Sequence, residues 1–138
     1  MRYFALAFFA LHALIEMTFG ANAFLSGAFS SQSAEEVASQ VPHIASAARF
    51  LGVALFSIGL LGALTLFILG VASQAGRWMA GVLAFFHLVG VAGVFVTNAS
   101  FPGFLSQINT IGALVIHGVL GLGFVAVVLW HGSIRAKD

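Results

Sequence analysis

The amino-acid sequence predicts an all-α polytopic membrane protein: one domain, residues 1–138, built as a bundle of four transmembrane helices. Three observations lead there. Apolar residues make up 61% of the chain, and only nine of 138 are Asp, Glu, Lys or Arg, where a soluble domain carries about a quarter charged residues. The mean hydropathy is +1.10. Four apolar tracts also reach the about 20 residues that a helix rising 1.5 Å per residue needs to cross a ~30 Å hydrocarbon core. This composition excludes a nucleic-acid-binding domain and an ordinary soluble enzyme. Cysteine is absent, which excludes a disulfide framework, a Cys-ligated iron–sulfur cluster, c-type haem attachment and a cysteine nucleophile.

The first span is expected over about residues 3–25, and the second over about 44–71. The third is expected over about 78–97 and the fourth over about 108–130. The tracts are too long and too evenly apolar for the alternating strands of an outer-membrane barrel. Residues 26–43 form the one sizeable connection, polar and acidic. Within it Ser33 and Glu36 have capping-box spacing, predicting a short helix over 34–40, and Pro42 suits the first turn of the second span. Ser73, Gln74, Gly76 and Arg77 are expected to make the second turn. Residues 98–106, with Phe101, Pro102 and Gly103, are expected to make the third. Tyr3, Trp78 and Trp130 stand near one membrane boundary, where amphipathic rings anchor spans. His43 and His131 stand at helix ends and read as interfacial, beside water.

Arg2, Arg77, Arg135 and Lys137 fall on one side of this topology, and Glu35 and Glu36 on the other, with Arg49 alone near them. The positive-inside bias places both termini in the cytoplasm. A competing reading takes Arg2, the following apolar run and Ala21-Asn22-Ala23 as a cleavable signal peptide. His12 and Glu16 interrupt that run, and cleavage would leave three spans.

Five side chains do not belong in lipid: His12, Glu16, Arg49, His87 and His117. A charge at the centre of a membrane helix costs roughly 2.5–3.5 kcal/mol on an insertion scale, and such residues face protein or a cavity. His12, Glu16 and Gly20 follow at four-residue steps and share one helix face. Counted from the outer ends of the spans, Glu16 lies roughly 14 Å deep, His87 and His117 roughly 15 Å, and Arg49 roughly 8 Å. The five therefore define one polar layer, open to three readings. It is structural, with Glu16 paired to Arg49 and the histidines bonded across helices. Alternatively, His87 and His117 ligate a b-type haem, with Ala84, Gly90, Ala113 and Gly121 making room. In the third reading the layer lines a proton, cation or quinone site. A metal held by His12, Glu16, His87 and His117 is chemically feasible, but no ligand motif of specific spacing occurs, and no metal site is expected.

Glycines mark the expected helix contacts: Gly52 and Gly59 in span two, Gly90 and Gly93 in span three, and Gly112, Gly118 and Gly121 in span four. The pairs Phe8-Phe9 and Phe85-Phe86 face lipid or fill gaps between helices. Spans two and three share a short echo, Arg49-Phe50-Leu51-Gly52 and Arg77-Trp78-Met79-Ala80. No phosphate loop, serine triad or carboxylate pair occurs within the membrane, so catalysis is not expected. The favoured role is structural or accessory, in assembly with membrane lipids and with other membrane proteins or further copies of the chain. A proton-coupled carrier using Glu16, or a redox subunit binding haem b or quinone, are the alternatives.

Two resemblances accompany this reading. The four-span plan and the segment Ala48-Arg49-Phe50-Leu51-Gly52-Val53-Ala54-Leu55-Phe56-Ser57-Ile58-Gly59 resemble the DoxX-like and related small bacterial membrane families. That resemblance implies an inner-membrane accessory protein and carries over no catalytic residue. Leu14-Ile15-Glu16-Met17 looks like the first-helix glutamate segment of the small multidrug resistance transporters. This second resemblance implies that Glu16 is a shared proton and substrate carboxylate of a dimer. The chain departs from those transporters in its 26–43 loop, its length and its intramembrane histidines.

Overall fold

The computed structural model describes residues 1–28, 42–106 and 108–132. Among the described residues the fold is all-α, with four helices each long and apolar enough to cross a membrane. Helix α1 is Arg2–Ser26 and α2 is Pro42–Leu64, continued by a π-helical turn at Thr65–Leu69. Helix α3 is Gln74–Ser100, and a short 3₁₀ turn at Phe104–Ser106 leads to α4, Ile108–Leu129. The helix expected over 34–40 lies outside the described residues, and so does the side chain of His43.

The chain divides into two compact units, Phe9–Leu64 and Met1–Phe8 with Thr65–Asp138. In the first unit α1 and α2 pair antiparallel, Phe24 against Gly52, Gly20 against Phe56, Met17 against Gly59 and His12 against Gly62. Most buried positions follow the three-, four- and seven-residue steps that keep one helix stripe on its neighbour: Phe9, His12, Glu16, Gly20 and Ala23 on α1, with Ala13 beside them, and Ala48, Gly52, Gly59 and Gly62 on α2. At Gly20 and Gly52 the two backbones touch, which only residues without a side chain permit. Helix α1 ends at Gly27, whose φ of 64° continues the chain in the left-handed region while its N–H still bonds Ala23 O at 3.0 Å.

In the second unit α3 packs on α4, antiparallel, with Gly90 at His117 and Gly121 at His87; Ala80, Leu83, Ala84 and His87 on α3 and Leu120, Phe124 and Val127 on α4 are buried. Phe8 lies on Gly123 and meets Phe124 edge-on at 6.2 Å. The π turn closes with Gly70 N–H on Thr65 O, and Gly70, at φ 80°, turns the chain. Ser73 then caps α3, its Oγ accepting from Gly76 N–H at 2.9 Å and donating to Gly70 O at 2.7 Å.

The second turn therefore lies earlier than expected, at residues 70–73, and Gln74, Gly76 and Arg77 belong to the first turn of α3. Asn98 likewise remains helical, and its Oδ1 accepts from Leu105 N–H at 3.1 Å to close the next turn. Tyr3, Trp78 and Trp130 are exposed, as amphipathic boundary rings should be. Each phenylalanine pair splits: Phe9 is buried and Phe85 exposed, while Phe8 and Phe86 pack on other rings.

Candidate functional site

Each unit holds polar side chains of its own. In the α1–α2 unit, His12 is wholly buried and its Nε2 lies 3.1 Å from Ile58 O. A carbonyl only accepts, so Nε2 carries the proton and donates; in a neutral ring this leaves Nδ1 with its lone pair. The ring lies over Gly62, where a Cβ would come within 2.7 Å of its Cδ2. One turn on, Glu16 is 3% exposed, and its Cβ lies 3.1 Å from the position a Cβ would take on Gly59. The expected shared face of His12, Glu16 and Gly20 is the face turned to α2.

In the α3–α4 unit, His87 and His117 bond to each other, Nδ1 to Nδ1, at 2.9 Å. One nitrogen must donate and the other accept, so a neutral pair holds the two tautomers side by side. Phe86 meets both rings edge-on, at 5.0 and 6.0 Å, and Phe124 lies parallel to His87 at 6.1 Å. Glycines again provide the space. A Cβ on Gly90 would come 3.2 Å from the His117 ring, and one on Gly121 would come 3.4 Å from His87 Cβ. The role expected for Gly90 and Gly121 is the one they have. Gly93, Gly112 and Gly118 correct the expectation of packing, since each has nothing within 4 Å of a Cβ added there. In a helix apolar on every side, small residues alone do not tell the packed face from the lipid face.

Arg49 corrects the proposed layer. Its guanidinium lies at Gly27, 3.2 Å from a Cβ added there, whereas Glu16 lies level with Gly59. Ten residues of α2 separate the two levels, about 15 Å at the helical rise, so Arg49 does not form the expected pair with Glu16. Depth counted from span ends had placed them about 6 Å apart; the antiparallel register puts Arg49 at the membrane-boundary end of α1 instead. His131 is also corrected. It is 4% exposed, and its Nε2 donates to Ser73 O at 2.9 Å, tying the end of α4 to the cap of α3.

A haem held axially by His87 and His117 needs its two ligand nitrogens about 4 Å apart, two metal–nitrogen bonds of about 2 Å, with the porphyrin between them. The Nδ1 atoms are instead in direct hydrogen-bond contact. Ligation there requires the helices to part.

One signal in the sequence went unread. Each of the five polar residues singled out above sits on a glycine of the neighbouring segment: His12 on Gly62, Glu16 on Gly59, Arg49 on Gly27, His87 on Gly121 and His117 on Gly90. Comparison of the chain with known protein families, curated proteins and solved structures finds no match. The architecture is that of small polytopic membrane proteins, and the likeness to DoxX-like families goes no further than this plan.

Proposed function

We propose that the protein is a proton-coupled carrier of a small molecule or cation, with Glu16 as the exchanging carboxylate. The observation that carries the reading is the burial of Glu16 at mid-length of an apolar helix, one turn from the buried His12. An ionisable side chain at that depth opposes membrane insertion, and its usual justification is an ion or proton pathway. His12 adds a group that donates at Nε2 and, when neutral, accepts at Nδ1. The His87–His117 pair supports the same reading separately, because its rings can take up one proton and keep the Nδ1–Nδ1 bond. The protein works in a bacterial cytoplasmic membrane with both termini inside, in keeping with the Lys/Arg bias.

Proton-driven uptake of a cation panel into proteoliposomes tests the proposal. Glu16→Gln keeps size and hydrogen-bonding capacity but cannot titrate. Coupled flux is expected to disappear in E16Q while the helices remain folded. Unchanged flux in E16Q would overturn the reading.

A structural or assembly role is the second reading, favoured by the backbone contact at Gly20 and Gly52. It predicts that E16Q lowers stability alone, and that mild purification recovers a stoichiometric membrane partner or a defined oligomer.

A further inference from the structure

We propose that the outer crevice between α1 and α2 binds one anionic phospholipid, its acyl chain along the helix crossing and its phosphate at Arg49. The crevice has a volume of about 350 Å³ and is lined by Gly20, Leu25, Gly52, Val53 and Phe56, among others. That volume is within the roughly 300–1,000 Å³ of small-molecule sites. It exists because the glycines at the crossing carry no side chains while Phe24 and Phe56 rise beside them. Val53 is 50% exposed and Phe24 49%, so the crevice opens sideways, toward lipid. Its walls are apolar apart from Ser57. An acyl chain matches such a lining, whereas a polar solute does not.

Arg49 makes the occupant a charged lipid. It precedes Val53 by four residues and Phe56 by seven, so all three share one face of α2. Its guanidinium lies at Gly27, two residues past the lining residue Leu25. A cation thus stands at the end of the apolar crevice. Arg49 lies seven residues after Pro42, where α2 begins, or about 10 Å along the axis, within reach of the headgroup boundary for its long side chain. Among the described residues no carboxylate forms an ion pair with it. The C-terminal end of α1 beside it offers only about half a negative charge. A phospholipid joins a phosphate to an acyl chain at this spacing. An anionic headgroup completes the charge match, while a zwitterionic one brings a competing cation of its own.

Native mass spectrometry of the purified protein, titrated with phosphatidylglycerol or with phosphatidylcholine of the same chains, tests this. The unaltered protein should retain phosphatidylglycerol about fivefold better, the effect of one arginine at an anionic lipid surface. Arg49→Gln should reduce phosphatidylglycerol to the phosphatidylcholine level, and Arg49→Lys should keep most of the preference, separating loss of charge from loss of fold. Val53→Trp fills the crevice from its exposed side and should weaken both lipids. Equal retention of the two lipids by the unaltered protein, a preference that survives R49Q, or full binding in V53W would each overturn the proposal.

Discussion

Gly20 and Gly52 face each other backbone to backbone: a Cβ on either would lie 2.7 Å from the carbonyl oxygen of the other. Each glycine is followed four residues later by a phenylalanine whose backbone nitrogen flanks the contact, Phe24 on α1 and Phe56 on α2. The crossing is therefore locally symmetric: each glycine lies against the other and against the phenylalanine four residues beyond it.

Gly52→Ala should push these helices apart, because the obstructing atoms are backbone and cannot rotate away. Overpacking of this kind costs about 1–3 kcal/mol. Gly112→Ala is the control, since a methyl there meets nothing within 4 Å and exchanges a poor helix former for the best one. Thermal unfolding in detergent should show G52A destabilised and G112A unchanged or slightly more stable.

Glu16 and Arg49 should behave as independent sites. Their levels on α2 are about 15 Å apart, and residues separated by more than 7–10 Å usually add within about 0.5 kcal/mol. A double-mutant cycle on E16Q and R49Q, read as unfolding free energy, should give a coupling below that figure. Substantial rescue of one change by the other would restore the ion pair that the register argues against.

The His87–His117 bond makes a spectroscopic claim and an energetic one. Nitrogen-15 spectra of histidine-labelled protein should show one protonated and one bare Nδ1 in this pair. His117→Ala should cost about 1–3 kcal/mol, because it removes the partner of a buried polar atom. A Soret band that depends on His87 and His117 would instead mean that the helices part around a haem.

How far the sequence was legible depends on whether a feature needed length or register. Length and composition sufficed for four helices, because only helices and closed barrels conceal backbone polar groups in lipid and these tracts lack the alternation of a barrel. The faces of α1 and α3 were readable wherever a polar residue marked them, as His12, Glu16 and His87 did. Arg49 was misplaced because depth along one helix does not say which residue of the next lies opposite. Gly93, Gly112 and Gly118 were misread because a glycine near a polar residue need not share its face: Gly118 directly follows His117, yet a Cβ added there meets nothing within 4 Å. The cap at Ser73 was taken as part of the turn, since serine serves both uses and only the Gly76 N–H bond tells them apart.

Membrane sidedness should follow from single cysteines, the native chain having none. Ala75→Cys and Ser106→Cys lie at opposite ends of the α3 hairpin, both exposed. An impermeant thiol reagent applied to intact cells should label S106C and spare A75C until the membrane is opened. The reverse pattern would place the termini outside.

The bond from His131 to Ser73 joins residues 58 apart in the chain. At a synthesis rate of roughly 5–20 residues per second, Ser73 is made about 3–12 seconds before its partner. During that interval the beginning of α3 is held only by its own local cap, with Gly70 and Gly76. The bend between the second and third crossings thus has to survive insertion on short-range contacts, and His131 then locks a turn that already exists. Impaired cap residues should consequently show up as failed membrane insertion in living cells, while loss of His131 should show up later, as faster turnover of protein already inserted.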